Sequence, residues 1–154
     1  MPTSYKFEAC STRRYAEMAD IVGDDREDLV DALMVETCKE PKLSTESLEK
    51  LRLSEYHALV GQFNTFLRAT HKELAYKYTF GEALKMHHSA ARRWAAEMDK
   101  KGNNVYVNVS MIAQLAEPHI TPEQVLDAPF NVFIAWKSKI DKSQRVAEEG
   151  FTKA

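Results

Sequence analysis

The residues of this chain with the most direct claim to chemistry are its histidines and cysteines. His87-His88, together with His119, Cys10 and Cys38, is the only pattern that hints at a metal site. Neighbouring helix positions point about 100° apart, so a helical metal site needs its second ligand three or four residues away. Those positions hold Ala83, Leu84, Lys85, Ala90, Ala91 and Arg92, none of them a usual ligand. His87 falls on an apolar stripe and reads as a core or interface histidine. Nucleophilic catalysis would need a serine or cysteine beside a base. No GxSxG is present, and no signature surrounds Cys10 or Cys38. The glycines are scattered, so no phosphate-cradling loop is expected. Asp24-Asp25 and Glu148-Glu149 read as helix starts and solvated surface. The expectation is a protein with no metal, no cofactor and no enzymatic activity.

Binding is the other way for side chains to act. Arg13-Arg14 and Arg92-Arg93, with helix–turn–helix spacing around Ser54, raise a DNA-binding regulator as an alternative. The helix after Ser54 offers Glu55, His57, Gln62 and Asn64 as its polar face. A formal charge of −2, and the acids Asp24, Asp25, Glu27, Asp28 and Glu46, argue against nucleic acid as a partner. The chain has no apolar run of the roughly 18 residues a membrane helix needs, so no membrane partner is expected. Its first residues lack the apolar core of a signal peptide, and two cysteines without CxxC spacing suit a reducing cytoplasm. The aromatic residues carry more information. Tyr56, Phe63 and Phe66, and later Phe130, Phe133 and Trp136, load two helices with rings. Beyond a core, such surface suits a groove for an apolar segment or a face for self-association.

The elements that position these residues occur twice. Glu40-Pro41-Lys42-Leu43-Ser44-Thr45-Glu46-Ser47-Leu48 returns as Glu117-Pro118-His119-Ile120-Thr121-Pro122-Glu123-Gln124-Val125, 77 positions later. At the same offset Leu53 falls on Phe130, Tyr56 on Phe133 and Ala58 on Ala135. Arg13-Arg14-Tyr15-Ala16 is echoed by Arg92-Arg93-Trp94-Ala95. The spacing predicts a mainly α fold of two similar small helical modules packed together, with a short N-terminal strand. Residues 1–76 form the first copy, and residues 77–154 form the second, with a frayed C-terminal tail.

In chain order, Tyr5-Lys6-Phe7-Glu8-Ala9 alternates like a strand. Ser11 or Thr12 caps a helix that stops at Gly23, and Asp24 or Asp25 caps the next, with Leu29, Val30, Leu33, Met34 and Thr37 as its stripe. Ser44 caps a short helix, and Ser54 a long one that can run toward Tyr76. Thr79 and Glu82 read as a capping box opening a helix through Phe80, Leu84, His87, Ala91, Trp94 and Met98. Another helix is expected from about Asn108. Thr121, with Pro122 at the first helical position, starts a short helix. Phe130 to Ile140 reads as a shorter copy of the long helix, and the tail from Ser143 as frayed.

The order of "STRRYAEMADI", "LVDALMVETC" and "LSTESLEKLRLSEYHALVGQFNTFL" resembles the tail assembly chaperones of tailed bacteriophages. The resemblance spans about residues 5 to 70 and rests on Leu43, Ser44, Glu46, Leu48, Leu51, the pair Glu55-Tyr56, and Phe66-Leu67. It implies a protein of the infected host's cytoplasm that coats the hydrophobic tape measure protein and helps recruit tail tube subunits. A related role, in baseplate or hub assembly, is its nearest alternative. On this reading Tyr56, Phe63, Phe66, Phe133 and Trp136 are the expected contact residues for the client.

Overall fold

The same order of strands and helices occurs in each half of the chain. The structure is a computed structural model and describes residues 3–23, 26–69, 76–81, 87–98 and 104–153. Strand β1 (Lys6–Phe7) leads into helices α1 (Thr12–Val22) and α2 (Arg26–Thr37), then strand β2 (Cys38–Glu40) and helices α3 (Thr45–Glu49) and α4 (Leu53–Ala69). The order then repeats: β3 (Thr79–Phe80), α5 (His88–Met98), α6 (Asn104–Leu115), β4 (Ala116–Glu117), α7 (Pro122–Asp127) and α8 (Phe130–Lys153). The fold is mainly α, with β1 antiparallel to β2 and β3 antiparallel to β4.

The repeated motifs do the same local work in both halves. Ser44 Oγ accepts from the Ser47 N–H, and the Ser47 hydroxyl accepts from the Ser44 N–H, closing a reciprocal cap. Thr121 and Gln124 close the same box ahead of α7. Both preceding Glu-Pro bonds, Glu40–Pro41 and Glu117–Pro118, are cis. Lys6 pairs with Glu40 but Phe7 with Cys38, so Lys39 is one residue too many in β2. In β4, Thr79 pairs with Glu117 and Phe80 with Ala116, without that extra residue. Upstream of the strands the repeat therefore slips by one, and α2 corresponds to α6 end to end, Arg26 on Asn104 and Thr37 on Leu115.

Several local expectations need correction. Ser11 does cap α1, accepting from the Arg14 N–H at 3.1 Å, and Gly23 ends it at φ 78°, a conformation glycine adopts without strain. The caps expected at Asp24 or Asp25 lie outside the described residues. Helix α4 starts at Leu53, before Ser54, and its opening turn is tied by Glu55 Oε1 accepting from the Arg52 N–H. Thr79-Phe80 is a strand edge, because pairing of Thr79 with Glu117, 38 positions away, overrides the capping pattern; Glu82 and Leu84 lie outside the described residues. Helix α6 starts at Asn104, and its Val105, Tyr106 and Val109 are buried. Helix α8 continues to Lys153, longer than α4 where a shorter copy was expected.

Two cores result, and each borrows from the other half. The second-half core gathers Tyr106, Val109, Ile112, Val125, Leu126, Phe133 and Trp136, and Ala16 of α1 joins it. The first-half core gathers Met18, Leu33, Met34, Leu43, Leu48, Leu59 and Phe63, and Phe130 of α8 joins it. Ser11 and Pro129 form an antiparallel bridge at the crossing, where Phe130 N–H donates to the Cys10 carbonyl at 2.9 Å.

Candidate functional site

The five rings expected at a client surface separate into two kinds. Trp136 is 0% exposed, Phe63 and Phe133 are 2% exposed, and all three build the cores. Trp136 sits edge-on to Tyr78 at 5.4 Å, and Phe63 stacks on Phe130 at 6.5 Å. The reason is the crossing of α1: it brings Tyr15 over Phe130 and Phe133, 6.0 Å from each, and closes that face of α8. Phe66 is half-buried, stacked at 5.5 Å on Phe7 of β1. Tyr56 lines a surface groove.

That groove lies between α1, α2, α3 and α4 and encloses about 730 Å³. Met18, Ile21 and Val22 come from α1, Ala32 and Val35 from α2, and Leu48 from α3, giving an apolar floor. Ile21 is 78% exposed, an unusual place for isoleucine. Four carboxylates, Asp28, Asp31, Glu36 and Glu49, also line the groove, together with Arg14. Glu36 takes a two-pronged bond from Arg14, whose Nε lies 3.1 Å from Oε1, and this carboxylate holds the guanidinium pKa above its usual value. The Tyr56 hydroxyl donates to Asp31 Oδ1 at 2.6 Å. That bond, followed by burial and by the charges of Asp31 and Glu27, pushes the phenol up to about 12. The pair Glu55-Tyr56 thus has two jobs, one fastening the start of α4 and one reaching across to α2.

The other candidates settle elsewhere. His87 is exposed, ahead of α5, its N–H bonded to Gln114 Oε1 at 2.9 Å, not on a buried stripe as expected. Among the described residues, no three His, Cys, Asp or Glu side chains are placed to hold a metal ion. Arg13 pairs with Asp127 and Arg14 with Glu36 and Glu17. Gln62 ties down the N-terminal segment, accepting from the Tyr5 N–H and donating to the Thr3 carbonyl. Burial, aided by Glu36, pushes the Cys10 thiol up to about 11, and burial also raises Cys38, whose Sγ lies 3.1 Å from the Pro41 carbonyl. Among the described residues, no helix is long and apolar enough to cross a membrane.

Sequence reasoning missed the acidic lining. Asp28 sits in the first turn of α2, where the helix dipole alone accounts for an acid. The available signal was the repeat, in which Glu49 stands where the other half has Leu126. Comparison of the chain with protein-family models, curated proteins and solved structures finds no match.

Proposed function

We propose that this protein is a non-enzymatic assembly chaperone of the tailed-phage kind, holding an apolar, helical stretch of a tape measure protein in the host cytoplasm until tail tube subunits are recruited. The observation that carries the reading is the groove beside Tyr56: an apolar floor, open among the described residues, walled by four helices. A client helix laid there would gain roughly 25 cal/mol for each Å² of apolar surface removed from water. The heavy aromatic content supports this indirectly. Phe63 is buried in the same core as Met18 and Leu48 of the groove, which holds the groove in shape before a client arrives. Co-expression with the tape measure protein tests the reading: soluble yield of the client should rise, and an unchanged yield argues against the role.

A further inference from the structure

The second half of the chain already holds a helix in the position that corresponds to the groove. Helix α1 lies against α6, α7 and α8. It enters with an aromatic ring, Tyr15, over Phe130 and Phe133, a small residue, Ala16, in the core, and a cation, Arg13, 3.3 Å from Asp127 at the edge. The residues beneath it are apolar and closed: Tyr106, Val109, Leu126 and Phe133 are 7%, 0%, 0% and 2% exposed. Aligned end to end, α2 places Asp28 on Tyr106 and Asp31 on Val109, and the 77-residue offset places Glu49 on Leu126 and Tyr56 on Phe133. These four residues line the groove. The same seat is therefore built twice, apolar where the chain fills it and acidic where, among the described residues, it does not.

We propose that the first-half groove is a seat for a cationic amphipathic helix of a partner protein, with an aromatic or large aliphatic residue on its apolar stripe and lysine or arginine flanking it. The proposal rests on the reading that a client helix uses this groove, and adds the chemistry that recognises it. Carboxylates at the wall keep an apolar floor wetted and steer a basic segment toward it. The stripe then covers Met18, Ile21 and Leu48.

Fluorescence anisotropy with synthetic helix-forming peptides tests this on the full chain. A peptide with a leucine–tyrosine stripe flanked by lysines should bind, and bind progressively more weakly as salt rises. Its glutamate-flanked counterpart should not bind. Glu49→Lys changes an exposed residue and should weaken the lysine peptide by about tenfold while circular dichroism stays unchanged. Ile21→Glu, also exposed, should abolish binding. Equal affinity of both peptides, or equal affinity of wild type and Glu49→Lys, overturns the proposal. So does a stable dimer in sedimentation that Ile21→Glu dissolves, because the occupant is then a second copy of this chain. If the peptide binds but tape measure protein gains no solubility, the tail-chaperone reading fails and the seat stands; the reverse result removes the seat alone.

Discussion

Thr12 and Ala128 join the two halves of the chain through a single carbonyl. The Thr12 N–H donates to the Ala128 oxygen at 2.8 Å and the Thr12 hydroxyl donates to the same oxygen at 2.9 Å, with Thr12 0% exposed. Thr12→Val keeps the shape and leaves the carbonyl one donor. It should cost about 1 kcal/mol in urea unfolding, the usual net worth of such a bond. An unchanged midpoint would mean that the hydroxyl is not bonded across the seam.

Phe130 and Leu53 occupy the same position in the repeat and opposite environments, 0% against 72% exposed. Phe130 belongs to the first-half core although it opens α8 of the second. Phe130→Ala should therefore cost about 3–5 kcal/mol and lower the stability of both halves in one transition. Leu53→Ala should stay within about 0.5 kcal/mol. Two separated transitions in Phe130→Ala, or similar costs at the two sites, would refute this asymmetry.

The hydrogen bond to Asp31 pushes the Tyr56 phenol from 10.0 up to about 12 in the folded chain. A raised folded pKa gives a contribution that is fully present below pH 10 and fades as pH rises toward 12. Wild type should therefore lose stability faster than Tyr56→Phe across that interval. Absorbance titration of the phenolates should show a late component that is lost in Tyr56→Phe and moves earlier in Asp31→Asn. Parallel pH profiles for wild type and Tyr56→Phe would contradict the bond.

Cys10, raised to about 11, and Cys38, raised by burial, should remain thiols at neutral pH. At pH 8 only roughly one Cys10 in a thousand is thiolate. Iodoacetamide should label the native chain slowly and the urea-unfolded chain fast, as counted by mass spectrometry. Rapid native labelling at either position would show that it is not shielded.

Much of the local framework was legible because it is local. Ser11, Ser44 and Thr121 read as caps and are caps, since the groups they satisfy lie three residues away. Thr79 was misread for the opposite reason: its partner, Glu117, is far along the chain. The rings of α4 and α8 could not be sorted by pattern, because an aromatic stripe looks alike whether another helix covers it. Burial of Phe133 depends on Tyr15, more than a hundred residues upstream, and no periodicity within α8 encodes that contact. The groove was hidden in the same way, since Asp28, Asp31 and Glu49 sit on separate helices and meet only in the folded chain.

The claim everything else depends on is that a partner helix seats between α1, α2, α3 and α4. Backbone amide NMR of the labelled chain, titrated with the lysine-flanked helical peptide, tests that directly. Shift changes should concentrate at Met18, Ile21, Asp31, Glu49 and Tyr56, with Phe133 and Trp136 left in place. Changes centred on α8, with those groove residues unmoved, would contradict it.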